Sequence, residues 1–226
     1  MTLQHVDIFM QVIVFLFAIS VHESAHAWMA FRLGDNTAYM LGRVTLNPIK
    51  HIDPVGTVLL PLLAVVSHFP MIGWAKPTPV NTRNFRHLVR DDILTSVAGP
   101  VSNFLTAIAA TMLLLLISLS GSGNEMVQGL VQRNEVSNTA SPLMPIVLLL
   151  YNGMIINVLL GVFNLIPVPP LDGSHVLRHF LPDGIRQVYD RMGIFALVLL
   201  FAVGGRFIGA LISPVIHIFN EVLIRQ

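Results

Sequence analysis

Residues 21 to 26 read Val-His-Glu-Ser-Ala-His. In a helix His22 and His26 stand at i and i+4, one turn apart on one face. Both imidazoles can then reach a single Zn²⁺, with Glu23 beside them to take a proton from water. This is the HExxH pattern of a metallohydrolase. It lies within apolar sequence, where each unpaired polar group costs roughly 2 kcal/mol or more to bury, so polar groups at this depth point to function. Two histidines leave a hydrolytic zinc short of its usual set of protein ligands, and the chain contains no cysteine, so the remaining ligand must be a His, Asp or Glu. Asp172 is the best placed, because it follows a proline-stiffened stretch and precedes Gly173. The competing reading of Asp172 is an N-cap for a helix starting at Gly173. His51, Asp53 and His175 are further candidates, each equally at home in a turn, a cap or an outer shell that orients ligands. Asn164 could donate its amide to a substrate carbonyl or close the end of a helix. One Zn²⁺ per chain is expected.

These residues need elements to carry them, and composition says where those elements lie. Of 226 residues, 54% are apolar and 11% charged, with a mean hydropathy of +0.73, which implies an integral, multi-pass membrane protein. A net charge of +1 with no basic tract excludes nucleic acid as a partner. Residues 8 to 31 are long enough to span the bilayer, and no Lys or Arg precedes them, so a cleaved signal peptide fits poorly. Gly42 to Pro48 alternates β-branched residues and predicts a short strand. Val55 to Ile72 is apolar but interrupted by Pro61, and is expected to re-enter or to form a fifth hydrophobic segment. Ile93 to Leu119 and Leu143 to Phe163 are spans, separated by a polar, flexible loop from Ser120 to Ser141. The prolines at 167, 169 and 170 impose extended backbone, tolerated at membrane depth only where it lines a cavity or is buried in protein. Met192 to Phe219 is the last span, with Arg206 inside it. The expected fold is an all-α polytopic membrane protein with about four spanning helices and one short β element. With no internal repeat, residues 1 to 226 form a single membrane domain.

Several separate stretches together resemble a known family. They are His22-Glu23-Ser24-Ala25-His26, Gly42 to Pro48 with His51-Ile52-Asp53-Pro54, Ala98-Gly99-Pro100 with Asn103, and Asn164 through Asp172-Gly173. In this order on separate spans, they are similar to the site-2 protease family of intramembrane zinc metalloproteases, over roughly residues 8 to 180. The resemblance implies that His22, His26 and Asp172 bind zinc, that Glu23 is the general base, and that Asn164 helps hold the scissile peptide. It is to the minimal, membrane-only type, without PDZ or CBS domains.

A transmembrane helix cannot offer a peptide bond to a nucleophile until it unwinds. The expected substrates are therefore membrane proteins with a helix-destabilised transmembrane segment, adding as a strand beside an edge of the enzyme. Gly42, Val44 and Leu46 on the predicted strand, and Pro167 and Pro169 on the broken stretch, are the candidates for that edge. An intramembrane metal-ion transporter or channel would also place His and Asp at this depth, but has no need of Glu23 between the histidines. A catalytically silent scaffold of the same fold is the other alternative. If residues 55 to 72 re-enter, ten of the thirteen Lys and Arg fall on one side. The positive-inside rule makes that side cytoplasmic. The expected location is the cell membrane, with the active site nearer the cytoplasm. Sequence leaves the oligomeric state undetermined.

Overall fold

A computed structural model describes residues 3–59, 75–132 and 141–225. The first helix, α1 (Leu3–Leu33), carries the HExxH sequence. In lipid an apolar run must satisfy its backbone internally, and a helix does so within one segment. It stops at Gly34, whose φ of 114° only glycine adopts readily. The Asp35 amide then donates to Ala30 O at 2.9 Å, closing the last turn. Asp35 is buried and ties this turn to the approach to the next span. It accepts from the Asn81 amide at 2.7 Å and Asn84 Nδ2 at 2.8 Å, as well as from Thr37. Burial alone would raise its carboxyl, but these donors hold it below the ordinary carboxylate value.

A single turn, α2 (Thr37–Met40), precedes the stretch predicted as a strand. No strand forms among the described residues, and Gly42 to Leu46 instead follows turns and bends. Gly42 has φ 66°, and the Thr45 amide turns back onto Arg43 O at 3.0 Å. The buried Arg43 guanidinium gathers in Lys50 O and Pro77 O. Alternation at Val44 and Leu46 has no partner strand among the described residues to pair with, and the buried arginine dictates the path. The Pro54–Leu59 turn begins the Val55 to Ile72 stretch, most of which lies outside the described residues.

The long α3 (Leu88–Ser118) contains Pro100, and α4 (Gly121–Gln132) follows it. The flexible loop predicted from Ser120 is thus helical through Gln132. The Ser120 hydroxyl accepts from the Gly123 amide at 3.1 Å, and Met126 and Val127 are buried in a core with Leu114, Met144, Val147, Leu148 and Leu223. The next span, α5 (Met144–Asn164), leads through turns over Leu165–Leu171 into the short α6 (Asp172–Leu177) and a 3₁₀ turn, Arg178–Phe180. The proline stretch is therefore folded into turns rather than extended. Leu171 N donates to Val168 O at 2.9 Å, and Tyr189 Oη donates to Pro167 O at 2.9 Å.

The predicted last span is two helices. α7 (Asp183–Val203) is broken inside at Gly193 (φ 45°), and α8 (Gly205–Ile224) begins after Gly204. Arg206 accordingly stands exposed in the first turn of α8, at one end of a span rather than in its middle. Among the described residues four stretches are long and apolar enough to cross a membrane: Asp7–Leu33, Leu88–Ser118, Met144–Asn164 and Gly205–Ile224. α1, α3 and α5 pack together, α6 sits on α3, and α8 lies against α5.

Candidate active site

His22 and His26 are buried on the face of α1 that meets α3. Their Nε2 atoms lie 3.0 Å apart, and Asp172 Oδ2, from the first residue of α6, lies 3.1 Å from His22 Nε2 and 3.4 Å from His26 Nε2. Ligand atoms bound tetrahedrally to zinc at about 2.0–2.1 Å stand about 3.3 Å from one another. The triangle therefore matches three corners of a zinc tetrahedron and leaves the fourth open.

The proton positions agree. His22 Nδ1 donates to Asn103 Oδ1 at 2.6 Å, and His26 Nδ1 donates to Thr95 O at 2.7 Å. The Asn103 amide cannot be reversed, because its Nδ2 donates to Asn157 Oδ1 at 2.8 Å while Asn157 Nδ2 donates to Gly153 O at 2.8 Å. With both Nδ1 atoms carrying the hydrogens, both Nε2 atoms present lone pairs. Asp172 Oδ2, itself buried, receives no hydrogen bond. Three buried acceptors converge with no proton among them, an arrangement that a cation satisfies. Among the described residues this is the only cluster of such side chains placed to hold a metal.

Gly99 makes the approach of α3 possible, since a Cβ there would overlap His26 Nε2 and lie 2.6 Å from His22 Cε1. Glu23 follows His22 on α1, and its Oε2 accepts from the Thr78 amide at 2.8 Å. The Thr78 hydroxyl donates to Glu23 O at 3.0 Å. Prolines at 77 and 79 have no N–H, so the Thr78 amide is the one backbone donor of that run, and it goes to Glu23. Among the described residues no hydrogen bond occupies Glu23 Oε1.

The other sequence candidates fall elsewhere. His51 Nε2 donates to Thr45 O at 2.8 Å, Asp53 Oδ1 caps the following turn through the Val55 and Gly56 amides, and His175 Nδ1 lies 3.9 Å from Asp92. Asp172 opens α6 without capping it, since Leu171 occupies the N-cap position. Asn164 ends α5 with its Nδ2 donating to Leu160 O at 3.0 Å. Thr78, Thr95 and Asn157 were not among the sequence candidates. Only Asn157 carried a signal, as an amide in an apolar span; Thr95 acts through its backbone carbonyl, which no side chain advertises.

The description "Peptidase family M50" belongs to a family model that matches residues 10–203. The "Putative zinc metalloprotease YwhC" of Bacillus subtilis (strain 168) is 39% identical over 193 residues, covering 84% of this chain and 78% of that protein. Two proteins named "Putative zinc metalloprotease Rip2" are each 28% identical. The one from Mycolicibacterium smegmatis aligns over 82% of this chain and 63% of its own length, and the one from Mycobacterium tuberculosis (strain H37Rv) over 88% and 68%. No solved structure matches the chain. The family match runs unbroken from α1 past Asp172 and so takes in every side chain of the triangle. The chain therefore belongs to peptidase family M50 and is an intramembrane zinc metalloprotease.

Proposed function

We propose that His22, His26 and Asp172 hold the zinc and that Glu23 is the general base in hydrolysis of peptide bonds within or beside transmembrane segments of other membrane proteins. The observation that carries this reading is the convergence of three buried acceptors beside a carboxylate with one oxygen already anchored. Zinc bound there supplies Lewis acidity, which polarises a carbonyl and brings the pKa of water towards about 7. Glu23 Oε1 takes the proton from water and passes it to the leaving amine, while Thr78 keeps Oε2 in place. Asn164 stands at the end of the span that leads to Asp172. Its amide, exchanged from Leu160 O, donates to the substrate carbonyl. Pro167 and Pro169 line the approach. Pro167 O is already taken by Tyr189, which favours side-chain contact there over strand addition. Gly42, Val44 and Leu46 serve as a contact lip rather than as a strand edge.

Glu23→Gln tests the reading. Cleavage of a reconstituted single-span substrate is expected to fall by about 10²–10⁴-fold, the usual worth of a general base, with zinc content unchanged. Undiminished cleavage would remove Glu23 from the mechanism.

The membrane is the cell membrane in this proposal, and the metal site faces the cytoplasmic side. Support comes from charge, because the segments that follow α1 and α5 and the approach to and start of α3 carry most of the Lys and Arg, and Arg206 joins them at the start of α8. Cysteines introduced at Lys50 and Arg83 are expected to react with a membrane-impermeant reagent only once the cytoplasmic side is opened. Labelling of the two from opposite sides would require Val55 to Ile72 to cross.

A further inference from the structure

Asp92, Thr95, Gly99 and Asn103 share one face of α3, at spacings of three, four and four residues. At 100° and 1.5 Å per residue they occupy an arc of about 80° along about 16 Å of helix. The last three serve the histidines: Thr95 O holds His26, Asn103 holds His22, and Gly99 makes room for both rings. Asp92 touches neither ring, yet it is only 5% exposed. It is not needed to start the helix, because Asp91 already accepts from the His87 amide at 2.8 Å and Arg90 Nε at 2.9 Å. Asp92 Oδ2 instead accepts from His179 Nε2 at 2.7 Å, and the His179 side chain is itself 10% exposed.

His179 belongs to the 3₁₀ turn Arg178–Phe180, which continues α6 without a break. Asp172 opens that same unit. Six residues of helix entered through turns cannot fix their own direction, so contacts at both ends must do so. At the entry, Gly173 packs so closely on the end of α5 that a Cβ would lie 2.6 Å from the Leu165 carbonyl carbon. At the exit, the bond is His179 to Asp92.

We infer that Asp92 and His179 are positioning residues for zinc: their hydrogen bond seats α6 on the polar face of α3, so that Asp172 Oδ2 meets the two Nε2 atoms. The inference rests on the reading of His22, His26 and Asp172 as the zinc ligands. One face of one helix then aligns all three ligands, two through their rings and the third through the far end of its helix.

The test uses the full chain in detergent, with zinc affinity measured by competition with a chromophoric chelator and geometry read from the visible spectrum of the Co²⁺ form. His179→Leu fills the space but cannot donate. It is expected to weaken zinc binding by about 10–100-fold, as loss of an outer-shell partner does, and to alter the Co²⁺ spectrum. His179→Gln, whose amide can donate to Asp92, is expected to recover most of both. His22→Ala serves as the control for the ligand reading. If it binds zinc like the parent, that reading fails; if it loses zinc while His179→Leu keeps parental affinity and spectrum, only the positioning role is overturned. Should His179→Leu not fold, Asp92→Leu, which is close in size but cannot accept from His179, carries the same test, and parental zinc affinity there overturns the inference.

Discussion

Alanine in place of His22, His26 or Asp172 is expected to abolish zinc binding and peptide hydrolysis together. The three atoms proposed as ligands stand 3.0 to 3.4 Å apart with no protein donor among the described residues to satisfy them, so in this reading each depends on the metal and the metal on each. Loss of an outer-shell partner alone lowers metal affinity by about 10–100-fold, and loss of a ligand exceeds this because the metal–donor bond itself disappears. Without zinc there is no Lewis acid to polarise the scissile carbonyl, and cleavage should drop below detection. Metal analysis of the purified protein and cleavage of a reconstituted transmembrane substrate provide the measurement. An Asp172→Ala protein that retained one zinc and full turnover would take Asp172 out of the ligand set, leaving the histidines in place.

A single methyl group at Gly99 should be almost as damaging. Gly→Ala inside a helix ordinarily stabilises it by roughly 1 kcal/mol. Here the added carbon would occupy the space of His26 Nε2 and crowd His22 Cε1. Neither ring can yield, since each is tied through Nδ1 to α3 itself, one by Thr95 O and the other by Asn103. Either α1 and α3 separate or both imidazoles leave their hydrogen bonds. Zinc affinity should therefore fall by at least the about 10–100-fold of a lost outer-shell partner, and cleavage with it, while helix content by circular dichroism stays level. Gly153→Ala is the control, because a Cβ there meets nothing nearer than Ala110 Cβ at 3.9 Å. Parental zinc affinity in Gly99→Ala would mean that the helices can part at no cost to the site.

The parts of this site that were legible in the sequence are those whose geometry is local. His22 and His26 need only the helical repeat to meet, and Asp172 was reached by asking what chemistry the pair lacked. The face of α3 was legible only in part: Gly99 and Asn103 stood in a stretch that carried the family resemblance, but what they do for the histidines was not, for two different reasons. Thr95 contributes a carbonyl that every residue has, and Gly99 contributes the absence of a side chain. The strand expected at Gly42 failed because alternation describes one ribbon, whereas a strand exists only when another pairs with it, and the buried Arg43 bends the chain towards Lys50 and Pro77 instead. Gly, Ser and Asn concealed α4, although Met126 and Val127 followed by Leu130 and Val131 already formed its apolar face. The Gly204-Gly205 break divided what hydropathy alone joins.

The hydrogen bond from Asn103 to Asn157 also bears on how the molecule is made. Synthesis from the amino terminus delivers α1 and α3 to the bilayer while α5 is still unmade. The two histidines and their partners on α3 can meet at that stage, but the Asn103 amide then has only Ala18 O to receive its hydrogens. The arrival of α5 supplies Asn157, and Asp172 follows at its far end, about 150 residues behind the histidines in the order of translation. A nascent chain therefore holds the proposed general base and two of the three proposed ligands well before it can cut. The site can therefore be completed only after α1, α3 and α5 have all been made, while α8 is still to follow.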